Sequence, residues 1–422
     1  MWPLLITAAW MTLIIAIGSY VYLYVARRDP DEVVDLNKER EKEMRRVQFS
    51  SNKKDDSTVK TKPVVKKSSR TATKGSKSGA SHFSHPLLIR TIGGHHDFIN
   101  DFGVSHEMEK VTTMSVDRTI RIWDSALRTD SKYSMKKVES AHEKDVRYPD
   151  QALRGCINGK VTSAVFFLEL ATALKGYTIQ GLAMQESFQV PFKSKGNLMF
   201  LDVLGNGVGF VTFTDTLELN VWNMHGDILS TLNTHQGKIN DVRLSKDGRF
   251  VATAGFTSEV QIYEVELMKG TTSFSACRKV MDLKGHKAAV YSVDFSADGK
   301  MAATVSRDGF LMLWNINVRY REQESCKLVL SIKPEGPARL DRVRLSPDSK
   351  LAAISEGSSV WFYSTADGHL VEKIENSTPT KSPSSGGYGR ILKMEFLGGK
   401  DNALVTLCEV DKFVRVWRTP AV

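Results

Sequence analysis

The chain has 422 residues, 41% of them hydrophobic and 25% charged, and its formal net charge is +10. A chain this basic could bind nucleic acid, but residues 27–77 carry 16 basic and 9 acidic side chains and therefore most of the excess. No aromatic residue lies between Tyr24 and Gln48 or between Ser51 and His82. The basic segment thus lacks platforms on which bases could stack, which argues against RNA binding.

The first element in chain order is an uncharged run at the amino terminus. Residues 2–26 contain no charged side chain over 25 positions, enough for a helix to cross about 30 Å of hydrocarbon. Trp2 and Tyr24 lie near its ends, as interfacial anchors do. The rival interpretation, a cleaved signal peptide, has a basic start and a shorter apolar core. The run therefore predicts a retained transmembrane anchor over residues 1–28.

The charges that flank this run predict its orientation. The basic excess follows it, and basic residues stay on the cytoplasmic side, so we expect the rest of the chain to face the cytosol. A glycosylation acceptor at Asn376 would matter only in the opposite orientation. The cysteines show no metal or disulfide-framework spacing, as is typical of a reducing compartment. They are Cys156, Cys277, Cys326 and Cys408.

Residues 29–85 are predicted to be a charged, largely disordered linker. Residues 31–46 are dense in charge, and residues 51–81 are rich in Ser, Thr and Lys with almost no large apolar side chains. Such a composition cannot bury enough apolar surface to fold. We interpret its lysines as a solvated spacer that anionic lipid can attract.

A short alternating strand that ends in an aromatic residue recurs six times in residues 86–422. The intervals between these aromatics are 99, 41, 51, 49 and 54 residues, and self-similarity at about 40–50 residues is typical of propeller blades. The longest interval is about twice the period, which predicts one degenerate blade and seven blades in all. The six aromatics are Trp123, Trp222, Tyr263, Trp314, Tyr363 and Trp417.

The most complete repeat begins at Gly285–His286 and ends at Trp314, with Asp-Gly turns between its strands. This Gly-His…Asp…Trp pattern resembles the WD-repeat family over residues 86–422. The resemblance implies an all-β, seven-bladed β-propeller in which a His, a Ser or Thr, an Asp and a Trp form a buried hydrogen-bonded chain. The structural positions that it assigns are His95, Asp117, Trp123, Trp222, His286, Asp308, Trp314 and Trp417.

These side chains look like parts of a catalytic relay, but the structural interpretation is preferred. Each polar group can be satisfied within its own blade. The hydroxyl of the most complete repeat is Thr304 or Ser306, and the histidine of the first blade is His95 or His96, with Thr113 as its hydroxyl partner.

The two least regular parts of the ring are its closure and its hidden blade. Five residues follow Trp417, too few for a fourth strand, so Pro86–Ile92 is predicted to supply the outer strand of the last blade.

The hidden blade is placed at about 143–192, with strands at Val161–Leu168 and Lys175–Gln180. The alternative is a short helix over Ala164–Leu174, which would leave six blades and an insert.

The sequence contains none of the common catalytic motifs: no phosphate-binding loop, His-Glu-x-x-His, Cys-x-x-Cys or Gly-x-Ser-x-Gly. We therefore expect no enzyme activity, cofactor, metal or small-molecule substrate. Two polar loops, Val318–Cys326 and Asn376–Gly389, are candidate partner contacts, although ordinary surface loops would look the same.

An anchor, a basic linker and a WD ring in this order resemble a membrane-anchored branch of the WD-repeat family. The similarity rests on Asp117–Trp123, Gly248–Thr257 and Leu283–Ser292. It implies an endoplasmic reticulum protein that acts in stress signalling through the resident kinase of a translation initiation factor. We expect a cytosol-facing scaffold that binds this kinase or translation factors. The alternatives are an exchange factor for a small GTPase at the same membrane and an RNA-binding tether.

Overall fold

The chain divides into two compact units, residues Met1–Ser78 and residues Gly79–Val422. The predicted anchor at residues 2–26 and the predicted linker up to residue 84 lie outside the described residues. Within the described ranges, no helix is long and apolar enough to cross a membrane. The computed structural model describes residues 85–104, 110–115, 119–124, 136–139, 157–158, 164–169, 173–180, 183–191, 198–204, 209–268, 273–335, 339–377, 389–398, 402–409 and 413–422.

In these residues, 28 strands form seven antiparallel sheets of four strands each. The first strand is β1 (Leu88–Ile92). Sheet 1 contains β2 (Ile99–Val104), β3 (Lys110–Ser115), β4 (Thr119–Asp124) and β5 (Lys136–Glu139). Sheet 2 contains β6 (Ile157–Asn158), β7 (Ala164–Glu169), β8 (Ala173–Gln180) and β9 (Ala183–Pro191). Sheet 3 contains β10 (Leu198–Val203), β11 (Gly209–Thr214), β12 (Glu218–Asn223) and β13 (Ile228–Asn233).

The remaining sheets repeat this order. Sheet 4 contains β14 (Ile239–Leu244), β15 (Phe250–Gly255), β16 (Glu259–Leu267) and β17 (Phe274–Lys284). Sheet 5 contains β18 (Val290–Phe295), β19 (Met301–Ser306), β20 (Leu311–Asn315) and β21 (Lys327–Ile332), with a 3-10 turn at Tyr320–Glu322. Sheet 6 contains β22 (Arg342–Leu345), β23 (Leu351–Glu356), β24 (Ser359–Ser364) and β25 (Leu370–Ile374). Sheet 7 contains β26 (Ile391–Leu397), β27 (Ala403–Cys408), β28 (Val414–Arg418) and β1.

Burial differs between the second and fourth strands of a sheet. Every residue of β11, β15 and β27 is buried, whereas β13 has no buried residue. A strand that is covered on both faces reads as a near-continuous apolar run, as Phe250–Gly255 does. The second strands therefore lie inside the molecule and the fourth strands at its outside.

The apolar cores lie between consecutive sheets. In one of them, Phe250 and Ile262 of sheet 4 pack in the same cluster as Val293 and Trp314 of sheet 5. Corresponding clusters join sheets 3 and 4, sheets 5 and 6, sheets 6 and 7, and sheets 7 and 1. Because sheets 3 to 7 and sheet 1 cover faces of their neighbours in this order, the arrangement is consistent with a β-propeller.

Sheet 7 combines strands from the two ends of the described chain. Strand β1 pairs antiparallel with β28, and Ile92 lies opposite Val414. Ile92 is only 2% exposed and belongs to the core cluster that contains Trp123 of sheet 1. The sheet formed by the last three strands thus gains its fourth strand from the segment that precedes sheet 1.

The region of the hidden blade forms sheet 2, so the alternative of a helix over Ala164–Leu174 is wrong. Strands β7 and β8 cover most of that segment and pair with each other, with Phe166 opposite Tyr177. The segment is rich in β-branched and aromatic residues around Val165–Phe167, which suit a pleated strand better than a helix. Individual leucines and alanines do not outweigh this pairing.

One turn recurs between the first and second strands of three sheets. In sheet 5, the Ser296 hydroxyl donates to Asp298 over 2.6 Å and accepts the backbone N–H of Met301 over 2.9 Å. The turn needs a positive φ, which Gly299 supplies at 67°. The equivalent serine-aspartate pairs are Ser245–Asp247 and Ser346–Asp348.

Candidate interaction surface

Four polar side chains of sheet 5 form a hydrogen-bonded chain. Trp314 donates its Nε1–H to Thr304 Oγ1 over 2.9 Å, and Thr304 Oγ1 lies 2.8 Å from His286 Nε2. The other ring nitrogen, Nδ1 of His286, lies 3.0 Å from Asp308 Oδ2. Of the two hydroxyls considered from the sequence, Thr304 therefore joins the chain, whereas Ser306 donates to backbone carbonyls.

The ionisation of this chain follows from its burial. Burial lowers the pKa of His286, although Asp308 opposes the shift. Burial alone would raise the pKa of Asp308, but the backbone N–H groups of Lys287 and Phe310 outweigh it and keep that pKa lowered. A neutral imidazole then donates from Nδ1 to the carboxylate and accepts the Thr304 proton at Nε2. The His286 side chain is 1% exposed, so solvent has almost no access to this set of hydrogen bonds.

Sheet 1 contains the corresponding residues. His95 Nε2 lies 2.7 Å from Thr113 Oγ1, and Trp123 donates to the same oxygen over 2.9 Å. His95 is 7% exposed, whereas His96 is exposed to solvent. The first of the two histidines thus takes the buried position, while Asp117 lies outside the described residues.

The other two predicted tryptophans, Trp222 and Trp417, each form the hydrogen bond from tryptophan to threonine. Trp222 donates its indole N–H to Thr212 over 2.8 Å, and Trp417 donates to Thr406 over 2.8 Å. In both sheets the donor lies on the third strand and the acceptor on the second. The tryptophan-threonine bond is therefore common to four sheets, whether or not a histidine joins it.

In sheet 4 a glutamine that the sequence motifs did not indicate lies at this place. The Gln236 side chain accepts the Thr253 hydroxyl and is 1% exposed. The preceding residue, His235, has a positive φ of 51°, and its side chain is exposed to solvent. The indole is replaced by Tyr263, whose hydroxyl donates to Gln261 over 2.6 Å. A carboxamide can donate and accept, as an imidazole can, so it suits this position.

Charged side chains on the first strands of sheets 4 to 7 meet one another. Arg243 on β14 contacts Asp294 on β18 at 3.1 Å and Glu395 on β26 through N–O distances of 2.7 and 2.9 Å. Arg344 on β22 contacts the same Glu395 at 3.2 Å and Asp241 at 3.6 Å. These residues form the central ion network, in which side chains from four sheets converge.

Glu395 of the central ion network is held in its charged form. Burial opposes ionisation of Glu395, but Arg243 and Arg344 outweigh it and lower the pKa of Glu395 to about 2. Sequence reasoning missed the network. Its signal was the presence of charges at alternate positions of otherwise apolar first strands, as at Lys393 and Glu395 of β26. Because the paired arginines and carboxylates come from different strands, the network links sheets 4 to 7 to one another.

A second charged group lies at the other end of sheet 4 from Gln236. Glu264, in the second half of β16, has a side chain that is 3% exposed. Tyr320 donates its hydroxyl to Glu264 over 2.6 Å, and Arg249 donates Nε and Nη2 to the same carboxylate, each over 3.1 Å. Burial alone would raise the pKa of Glu264, but Tyr320 and Arg249 keep that pKa lowered.

Two more arginines surround this carboxylate. Arg278 on β17 lies 3.7 Å from Glu264 and 3.0 Å from Glu266. Arg321, on the 3-10 turn of sheet 5, lies 3.6 Å from Glu264 and 2.9 Å from Glu266. We call Arg249, Arg278 and Arg321 the arginine cluster. The sequence-predicted loop Val318–Cys326 thus docks on sheet 4 through Tyr320 and Arg321, a pairing between sheets that spacing alone could not reveal.

The two charged groups differ in their exposure to solvent. The described part of the chain contains no group of three or more His, Cys, Asp or Glu side chains arranged to hold a metal ion. The central ion network lies among first strands, whereas the arginine cluster has side chains that are 49%, 50% and 57% exposed. The cluster is therefore the better placed of the two to contact another protein.

Comparison with known proteins agrees with this geometry. Residues 87–124, 226–264 and 277–315 match the family described as WD domain, G-beta repeat. Transducin beta-like protein 2 of Homo sapiens is 32% identical over 300 residues, which cover 70% of this chain and 66% of the human protein. The Mus musculus protein of the same name is 30% identical over 298 residues, with 69% of this chain and 66% of that protein covered.

A protein from a plant is less similar to this chain. Ribosome biogenesis protein WDR12 homolog of Arabidopsis thaliana is 27% identical over 210 residues, which cover 47% of this chain and 48% of that protein. The chain spans 66% of the length of the human and mouse relatives, so about a third of each of those proteins has no counterpart in the alignment.

Proposed function

We propose that this chain, in which residues 87–124, 226–264 and 277–315 match the WD-repeat family, is a scaffold that binds protein partners at the endoplasmic reticulum membrane. The observation that supports this most is the division of its polar side chains. Those that resemble a catalytic relay, such as His286 and Asp308, are buried and bonded to each other, whereas the arginine cluster is half exposed. Proteins with WD repeats are generally non-enzymatic scaffolds, and a rigid repeat architecture displays its loops in a fixed arrangement.

We propose that residues 1–28 anchor the scaffold and that residues 29–85 tether it on the cytosolic side. The support is the uncharged run over 25 positions, followed by 16 basic against 9 acidic side chains in residues 27–77. Anchoring raises the local concentration of bound partners at the membrane surface.

The proposed partners are a kinase of the endoplasmic reticulum that phosphorylates a translation initiation factor, or translation factors themselves. The support is the resemblance to a membrane-anchored branch of the family, together with 32% identity to human transducin beta-like protein 2. In this proposal the chain has no cofactor and acts by holding partners together during stress signalling.

Membrane fractionation of the full chain and of residues 29–422 tests the anchor. We expect the full chain in the membrane fraction, with its sheets accessible to protease added outside intact microsomes. The shortened chain should be soluble and keep its thermal unfolding transition. Protease protection of the full chain, or a mass decrease on glycosidase treatment that Asn376→Gln abolishes, would contradict the proposed orientation.

Affinity isolation of the full chain from solubilised membranes tests the scaffold function. We expect the kinase or translation factors to co-purify, and to do so more strongly from stressed cells. Stimulated nucleotide release from a small GTPase of the same membrane would instead favour an exchange factor. Crosslinking to RNA that is lost when the 60–77 lysines are neutralised would favour an RNA tether.

A further inference from the structure

The arginine cluster carries one more positive charge than the two carboxylates that it surrounds. Three guanidiniums surround two carboxylates, and Arg249 alone already bonds Glu264 through two of its nitrogens. The side chains of Glu264 and Glu266 are 3% and 28% exposed, whereas those of the three arginines are 49%, 50% and 57% exposed. The carboxylates lie underneath, so the outward-facing charge of the cluster is positive.

The arginines also keep hydrogen-bonding capacity. A guanidinium has five N–H donors in a planar fork that matches a carboxylate. The contacts of Arg278 and Arg321 to the two glutamates involve Nη2 in each case. Both side chains can therefore bind the glutamates and an additional acidic group at the same time.

One arginine of the cluster, Arg249, is restrained before any partner arrives. The guanidinium of Arg249 lies 4.8 Å from the Phe250 ring centre and 5.7 Å from that of Tyr320, and Tyr320 is itself bonded to Glu264. Contacts of this kind restrain the long side chain through cation–π attraction. A restrained side chain loses less conformational entropy on binding, which favours affinity.

The composition of the neighbourhood is that of a protein interface. Arg, Tyr and Met are enriched at such interfaces, and Met268, which follows β16, is 54% exposed. Phe250 is 4% exposed, and the partly exposed Tyr320 is bonded to Glu264 and packs against Arg249 and Phe250, so neither ring is placed as a stacking platform for a base. The surface therefore favours an acidic peptide segment over a nucleic acid.

We propose that the arginine cluster is the docking surface for an acidic segment of a protein partner. This inference rests on the proposed scaffold function and names the chemistry of one partner. Carboxylates of the segment bind Arg278 and Arg321 in the two-point geometry that guanidinium favours. Arg249 stays on Glu264 and holds the surface in shape.

The test is fluorescence anisotropy of the full chain in detergent with a labelled octaglutamate peptide. Labelled octaglutamine and oligouridine of the same length serve as comparison probes. We expect octaglutamate to bind more tightly than both, and salt to weaken its binding. Equal binding of octaglutamate and octaglutamine would overturn the proposal, as would tighter binding of oligouridine.

Charge-matched variants locate the binding. Arg278→Gln with Arg321→Gln should weaken octaglutamate binding about tenfold or more, since two charge-assisted contacts are lost. The control variant, Arg307→Gln with Arg339→Gln, removes the same charge from two exposed arginines of sheets 5 and 6 that lie at the end away from the arginine cluster. It should change octaglutamate binding less than about twofold. Equal weakening by both pairs would overturn the proposal.

Two controls separate the possible failures. Arg278→Gln alone leaves Arg249 and Arg321 on Oε1 of Glu264, and thermal unfolding checks that this variant folds. Its binding of octaglutamate should be severalfold weaker; unchanged binding would count against the cluster. If the double variant keeps every partner that co-purifies with the unchanged chain, the docking surface is wrong and the scaffold stands. If the unchanged chain isolates no partner, the scaffold function itself fails.

Discussion

Arg243 and Glu395 are 152 residues apart and form a two-point salt bridge with N–O distances of 2.7 and 2.9 Å. Their strands belong to sheets 4 and 7, and the side chains are 19% and 16% exposed. Charges of this kind are costly to leave unpaired away from water. The bridge therefore links sheets 4 and 7, whose strands lie far apart in the sequence.

We expect Arg243→Gln to lower the free energy of unfolding by about 3 kcal/mol, the lower end of the range for a broken buried ion pair. The lower end applies because both side chains keep some solvent contact and Arg344 remains beside Glu395. Urea denaturation measures the change. As a control, Lys284→Gln removes a pair whose side chains are 63% and 41% exposed, and it should cost less than about 0.5 kcal/mol.

The same network predicts how stability depends on acid. The folded-state pKa of Glu395 is about 2, below its ordinary value of about 4.3 in an unfolded chain. The contribution of this carboxylate is therefore fully present above about pH 4.3 and is lost as the pH falls toward 2. Urea titrations across this range should show less acid destabilisation for Glu395→Gln than for the unchanged chain. Parallel curves for the two proteins would contradict the assignment.

A third prediction concerns the threonines that bind tryptophan. Thr304 bonds both His286 and Trp314, whereas Thr406 bonds Trp417. Thr304→Val keeps the shape of the side chain but leaves an imidazole nitrogen and an indole N–H unsatisfied in the core. We expect a loss of about 2–4 kcal/mol for Thr304→Val and about 1–3 kcal/mol for Thr406→Val. Thermal unfolding of both variants gives the order, and the reverse order would disprove the four-residue chain as a unit.

The fourth prediction concerns the strand that completes sheet 7. Ile92 is 2% exposed and packs with Trp123 and Val414, so Ile92→Ala should cost about 2–4 kcal/mol through the cavity that it leaves. Its neighbour Thr91 is exposed, so Thr91→Ala should change stability by less than about 0.5 kcal/mol. Denaturant midpoints of the two variants measure the difference; equal midpoints would mean that β1 does not support the sheet.

The repeated elements were the most predictable part of the fold. The regular aromatic intervals predicted four-stranded units, because each blade needs the same strands, turns and buried hydrogen bonds. The segment Pro86–Ile92 was predicted as an outer strand, and β1 pairs with β28 there. The degenerate blade was harder, since sheet 2 carries neither a Gly-His pair nor a terminal tryptophan and only its β-rich composition indicated strands.

Contacts between sheets could not be read from the sequence. Alternation within a strand marks Glu395 as unusual, but nothing in the sequence pairs it with Arg243, or Glu264 with Arg321, because the partners lie on different sheets. Gln236 was missed for another reason. The motif draws attention to histidine, and His235 lies at the expected spacing, but its positive φ turns the backbone so that the next residue takes the buried place. Such local geometry depends on the surrounding sheet.

Proximity labelling in intact cells is the measurement that tests the scaffold proposal most directly. A labelling enzyme is fused after Val422, and labelled proteins are compared with and without stress of the endoplasmic reticulum. We expect enrichment of the cytosolic portion of a kinase of that membrane, or of translation factors, and less enrichment for the variant Arg278→Gln with Arg321→Gln. A labelled set made of luminal proteins would contradict the orientation, and a set dominated by a small GTPase with coat proteins would contradict the scaffold function.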